Sequence, residues 1–206
     1  GDECGESESL PMIDFMVYPA PNVWSNQKEV QIIYPDRNGE KSYKKDNGSW
    51  NTKNDDSRVI FTENGTLEAR MKLDDGKITE SKMDVGNIDS IKPTVSSSNP
   101  DYTDSNNITI TLKDTGGSNL KGYLVTTSSA TPTINSSWKI ISPSVSDKTV
   151  KYKIEENGTY YIYAIDNAGN ISEKYSKKFN VKNTVTYDAA PGTFGGGTTK
   201  QSYVLT

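Results

Sequence analysis

Residues 156–166 read Glu156-Asn157-Gly158-Thr159-Tyr160-Tyr161-Ile162-Tyr163-Ala164-Ile165-Asp166, and this stretch decides the fold. Asn157-Gly158 is a turn signal, because Asn and Gly tolerate positive φ better than other residues. After it, Tyr160, Ile162 and Ala164 alternate with Tyr161 and Tyr163, which is the period of a strand with one buried face. Before it, Val150, Tyr152 and Ile154 alternate in the same way. Asp166 continues the inward parity of Ile162 and Ala164. A buried carboxylate needs donors, so Asp166 is expected to accept backbone N–H groups of the turn at 167–170. Tyr160 stands where a tyrosine corner falls, near the start of a late strand of an immunoglobulin-type sandwich.

The same signal recurs upstream. Glu63-Asn64-Gly65-Thr66-Leu67 matches Glu156-Asn157-Gly158-Thr159-Tyr160, with Leu67, Ala69 and Met71 as the inward set. Two further matches follow in register. Trp24 to Tyr34 aligns without gaps on Tyr102 to Leu112, which sets Val30, Ile32 and Tyr34 against Ile108, Ile110 and Leu112. The hairpin Tyr43 to Trp50, turning at Asn47-Gly48, corresponds to Tyr123 to Trp138 with a longer Ser- and Thr-rich loop holding Pro132. Each copy holds about seven short strands in roughly ninety residues, the size of an immunoglobulin-type sandwich. The expectation is an all-β chain of two tandem immunoglobulin-like sandwiches with an extended C-terminal tail. The expected boundaries are 1–10 for a flexible leading segment, 11–90 and 91–182 for the sandwiches, and 183–206 for the tail. Ile91-Lys92-Pro93 is the expected junction, stiffened by Pro93.

Composition agrees with thin β cores. Hydrophobic residues are 32% of 206, while 12 Tyr and 3 Trp supply large apolar bodies with polar tips. The net charge of −4 argues against a nucleic-acid partner. No apolar run is long enough to span a membrane. His is absent, which removes the commonest general base and metal ligand. The one Cys, Cys4, excludes an internal disulfide. Asp2 and Glu3 precede it where a lipid-anchor signal needs small apolar residues, so Cys4 is read as a free thiol. The chain opens at Gly1 rather than Met, which is expected to reflect a trimmed leader or anchor.

The run Gly158 to Asn170, ending Asp166-Asn-Ala-Gly169-Asn170, resembles the closing strand pair of bacterial immunoglobulin-like repeats. Such repeats occur in large surface proteins, mostly of Gram-positive bacteria, as spacers or adhesive modules. The resemblance implies an extracellular, cell-surface or cell-wall-associated, non-catalytic segment, a stalk or an adhesive module, whose partner is a host or surface protein or a glycan. The first copy departs from the motif, since Asp74-Asp75-Gly76-Lys77 stands at its end. In the tail, Val185 to Phe194 is similar to the opening of the β-grasp-like repeats of Listeria internalins, with Ala190-Pro191 in place of Asn-Gly. That similarity implies the start of a further β module. Val185 and Tyr187, and Tyr203 to Leu205, have strand propensity, so the tail reads as two short strands around a Gly-rich loop, expected to pair with an exposed edge strand of the second sandwich or of a neighbouring molecule by strand addition.

The chemical candidates reduce to structure. Asp55, Asp56, Asp74, Asp75, Asp101, Asp104 and Asp166 offer oxygen ligands, yet no calcium-loop spacing links them; they are read as turn caps, and no metal or cofactor is expected. An intramolecular Lys–Asn isopeptide bond needs an inward Lys; Lys151 and Lys153 have outward parity, and no inward Lys stands out. Glu155-Glu156 is a solvated turn rather than a hydrolytic pair, and no catalytic residue is assigned. Trp24, Trp50 and Trp138 are expected to close the cores. Tyr161 and Tyr163 are left as exposed aromatics, the candidates for the alternative function of a carbohydrate-binding accessory module. The structural positions are Asn64, Gly65, Asn157, Gly158, Tyr160, Asp166 and Gly169.

Overall fold

The computed structural model describes residues 9–52, 58–98, 102–103, 107–181, 183–188 and 200–205. The chain divides into two compact units, Gly1–Ile91 and Lys92–Thr206. Every regular element among the described residues is a strand.

In the first unit the strands are β1 (Asp14–Tyr18), β2 (Lys28–Ile33), β3 (Gly39–Lys45), β4 (Asn51–Thr52), β5 (Arg58–Phe61), β6 (Gly65–Leu73) and β7 (Ile78–Val85). They form two antiparallel sheets, β1-β2-β5 and β4-β3-β6-β7. The alternation dictates which faces meet. Val30, Ile32, Val59 and Phe61 from one sheet pack on Leu67, Ala69, Met71 and Val85 from the other, and all are buried. Burying one apolar face of each sheet against the other is the main stabilising term of such a sandwich.

The second unit repeats the plan with β8 (Thr94–Ser97), β9 (Tyr102–Thr103), β10 (Asn107–Lys113), β11 (Leu120–Thr126), β12 (Lys139–Ile140), β13 (Asp147–Lys153), β14 (Gly158–Asp166) and β15 (Tyr175–Val181). Its sheets are β13-β10-β8 and β12-β11-β14-β15-β9. The added strand β9 pairs parallel with β15, so the leading segment crosses from one sheet to the other. Ile108, Ile110 and Leu112 face Tyr160, Ile162, Ala164 and Phe179 across the core. Apart from β9, both units have the same immunoglobulin-like strand order, with β4 and its counterpart β12 on the second sheet. The chain is two tandem sandwiches of one topology.

The tail contains β16 (Asn183–Asp188) and β17 (Lys200–Leu205), which pair antiparallel with each other. They form a sheet of their own, and among the described residues neither pairs with an edge strand of the second sandwich. A strand finds its nearest-in-sequence partner at the lowest loop-closure cost.

The two Asn-Gly signals mark corners rather than hairpins. β5 and β6 lie in different sheets, as do β13 and β14, so each Asn-Gly sits where the chain switches sheets. Gly65 is absent from the positive-φ residues, whereas Gly158, at φ 159°, holds a positive φ that L side chains rarely adopt. Gly65 is required for another reason. A Cβ there would come within 2.5 Å of the Asp46 carboxylate, which accepts the Thr66 N–H at 2.8 Å. The clear left-handed glycine of the motif is Gly169, at φ 88°.

Candidate functional site

The Asn side chains at both corners perform the same task. Asn64 Oδ1 accepts the Ile88 N–H at 3.0 Å, and Asn157 Oδ1 accepts the Val181 N–H at 2.8 Å. Each ties the sheet-switching corner to the end of the last strand of its sandwich, or just beyond it. In the second unit the Tyr160 hydroxyl also donates to the Glu156 carbonyl, closing a tyrosine corner. The Tyr160 ring packs edge-on against Tyr152 and Phe179, at 6.5 and 6.1 Å between centroids. Burial pushes its hydroxyl above the usual tyrosine range.

Asp166 is fully buried at the end of β14. Its Oδ1 accepts the N–H groups of Ala168 at 3.0 Å and Asn170 at 2.9 Å, and its Oδ2 accepts the Asn170 side-chain amide at 2.8 Å. These bonds shape the 167–170 turn. A second buried carboxylate, Asp114, accepts the Asn119 N–H at 2.8 Å, and its oxygen approaches that of Asp166 within 4.8 Å. Both are hard oxygen donors of the kind calcium takes, though calcium needs about six to eight, and the backbone donors already engage them. Asp74 and Asp75 are exposed, and Asp75 caps the Lys77 N–H at 2.9 Å. Asp55, Asp56, Asp101, Asp104 and Cys4 lie outside the described residues.

Two aromatic readings are corrected. Tyr163 has the outward parity expected, yet it is 4% exposed, and Ile165 beside it on that face is also buried. The outward side of β14 is therefore not a solvent face. The loop at 127–138 reaches this part of the fold, because Ile134 Cγ2 lies 3.9 Å from where a Cβ on Gly169 would stand. Burial also raises the Tyr163 hydroxyl above its ordinary value. Tyr161 is half-buried, with the Lys174 ammonium 5.3 Å over its ring.

The three Trp residues are half-buried and stand outside both core clusters. Trp50 lies on the outer face of the β3-β6-β7 sheet, where the Arg70 guanidinium sits 4.2 Å and the Lys44 ammonium 5.1 Å from its ring. Around it the charges alternate across the strands, Lys44 and Lys82 pairing with Glu68 and Arg70 with Glu80. Trp50, Glu68, Glu80 and Lys82 line a depression of about 330 Å³. In the second unit a depression of about 500 Å³ is lined by Tyr123, Tyr152 and Tyr160 with Lys139, Lys151, Lys153, Glu155 and Glu156.

An inward lysine exists where none was expected. Lys28 continues the parity of Val30 and Ile32 and is fully buried. Its ammonium donates to three main-chain carbonyls, Ala20 at 3.1 Å, Pro21 at 2.9 Å and Gly86 at 2.9 Å. Burial pushes the amine below the ordinary lysine value, while the carbonyl dipoles favour its charged form. With all three N–H bonds engaged by backbone, Lys28 serves as an internal clamp.

The outer face of the β1-β2-β5 sheet differs between the units. In the first, Met16, Tyr18, Ile33 and Ile60 share that face at 59, 76, 39 and 44% exposure, beside an Arg58–Glu29 ion pair. In the second, the corresponding face carries Thr109, Thr111, Lys151 and Lys153. Among the described residues no helix is long and apolar enough to cross a membrane.

No family model matches the chain, and no curated protein matches it. A solved structure of fibronectin(III)-like modules of Clostridium thermocellum CbhA aligns at 18% identity with a TM-score of 0.37, covering 82% of this chain and 94% of that one.

Proposed function

We propose that the chain is a non-catalytic segment of an extracellular bacterial surface protein, a stalk that also carries an adhesive face on its first unit. The observation that carries this is the contrast between equivalent sheet faces. Two sandwiches of one topology expose Met16, Tyr18, Ile33 and Ile60 on one copy and Thr and Lys on the other. Several large apolar side chains exposed on one sheet face, interleaved with Glu29, Gln31 and Arg58, suit a protein-binding surface that combines apolar contact with polar recognition. The buried polar groups support the non-catalytic half of the reading, because Lys28 and Asp166 are engaged in holding backbone.

The test is attachment of beads coated with the full chain to host-cell or matrix-protein layers. Met16→Ser with Ile60→Ser is expected to abolish attachment while both units stay folded. Attachment that survives these substitutions would overturn the assignment of that face. A second reading, a carbohydrate-binding accessory module, is favoured by the Trp50 depression and its ring of carboxylates and cations. It requires sugar-dependent Trp fluorescence that disappears in Trp50→Ala.

A further inference from the structure

The described strands and corners contain four Asn-Gly pairs: Asn38-Gly39, Asn47-Gly48, Asn64-Gly65 and Asn157-Gly158. As sequences they are chemically alike. Each can cyclise, because glycine lacks the Cβ that would hinder approach of its nitrogen to the preceding side chain. In the fold they are not alike. Asn64 and Asn157 have their side-chain oxygens held by the N–H groups of Ile88 and Val181. All four asparagines are exposed, so the hydrogen bond is what separates them: among the described residues the side chains of Asn38 and Asn47 have no hydrogen-bond partner. Asn47 occupies the tip of the β3–β4 hairpin, inside a turn closed by the Gly48 N–H on the Lys45 carbonyl at 3.0 Å.

We propose that the native fold sorts these four pairs into two spontaneous modification sites, Asn38 and Asn47, and two protected structural amides, Asn64 and Asn157. The reaction needs only water and hydroxide. Hydroxide removes the proton from the glycine amide nitrogen, and that nitrogen attacks the Asn side-chain carbonyl carbon. The new N–C bond closes a cyclic imide as the bond to the side-chain nitrogen breaks, and ammonia leaves with a proton from water. Water then adds to one imide carbonyl and opens the ring, to aspartate or to isoaspartate according to which C–N bond breaks. No electrons are transferred to or from the chain.

The pinned amides must first open. Asn64 and Asn157 each have to leave an N–H on or beside the last strand and reorient toward the glycine. Reaction then draws on a minor, locally opened population. The cost of breaking one such bond holds that population down by about tenfold. At Asn47 the change has a structural consequence. A new carboxylate, or an isoaspartyl link that lengthens the turn, arises next to Asp46, whose Oδ1 holds the Thr66 N–H at 2.8 Å. Three residues further on lies Trp50, so the ageing reaction alters the charge and shape of the hairpin that carries it.

The test is peptide mapping by mass spectrometry of the full chain, aged in mildly alkaline buffer with and without urea. In the native chain Asn38 and Asn47 should convert about tenfold faster than Asn64 and Asn157, and in urea the four rates should converge. Gly48→Ala should slow Asn47 alone. Native conversion of Asn64 or Asn157 within about threefold of Asn47 would overturn the proposal, because local opening could not then be limiting. A ranking that persists unchanged in urea would also overturn it, because local sequence rather than the fold would then set the rates.

Discussion

Replacing Lys28 by Met tests which effect dominates at the carbonyl clamp. Met keeps the apolar stem and approximate volume but removes the ammonium. Three charge-assisted bonds are lost, each worth about 1.5–3 kcal/mol. Against that, a buried cation no longer has to be desolvated, a relief of several kcal/mol. The carbonyls of Ala20 and Pro21 belong to exposed residues, so water can replace part of what they lose. The balance is a net loss of about 2–4 kcal/mol. In a domain of this size that lowers the melting temperature by roughly 10–25 °C. The measurement is urea and thermal unfolding of the full chain in a Trp138→Phe background, where Trp24 and Trp50 report the first unit alone. The transition of the second unit, followed by Trp138 in a Trp24→Phe, Trp50→Phe background, should not move. A change in the first unit below about 0.5 kcal/mol, the level of an ordinary surface substitution, would refute the clamp. A gain in stability would show that desolvation outweighs the three bonds.

Further outcomes follow from the corners and the buried phenols. Asn64→Ala and Asn157→Ala should each cost about 1–2 kcal/mol by leaving one strand-end N–H without its acceptor, the first in the first unit only and the second in the second unit only. Denaturant titration of both variants checks this, and equal effects on both units would contradict it. Asp166→Ala should destabilise the second unit by about 3 kcal/mol, because the N–H groups of Ala168 and Asn170 lose a buried charged acceptor. Loss of chemical-shift dispersion in the 167–170 turn should accompany it. Tyr160→Phe should cost about 1 kcal/mol through the corner bond to Glu156. Burial raises the hydroxyls of both Tyr160 and Tyr163 above the ordinary tyrosine value. Their contribution is complete below the unfolded value and is lost as pH rises through the folded one. The second unit should therefore lose stability above about pH 10, with both tyrosines ionising late in a phenolate absorbance titration. Early ionisation of both, without loss of structure, would contradict their burial.

What the sequence made legible and what it hid divide along a physical line. Strand faces follow from alternation alone, since a period of two sends every second side chain to the core. The inward sets at Val30, Ile32 and Tyr34, and at Ile108, Ile110 and Leu112, are accordingly buried as read. The same rule, extended by one step, carries Lys28 inward with Val30. Its partners are main-chain carbonyls, of Ala20 and Pro21 a few residues upstream and of Gly86 far downstream, and carbonyls have no sequence signature. Tyr163 shows the complementary failure. Parity gives the side of the strand but not what covers that side, and here the outward face is buried too. The Trp residues align with the repeat and were read as core, yet cations stacked on Trp50 hold it at the surface, a position where a ring with one polar edge is at home. The Asn-Gly pairs mark the right places, in part for the wrong reason. The glycine at 65 is set by its approach to Asp46 rather than by its φ, and the asparagine acts through its side-chain oxygen. Backbone-directed hydrogen bonds are thus where reading by residue type runs out: the side chain is named in the sequence, and its main-chain partner appears only once the sheets have folded against each other.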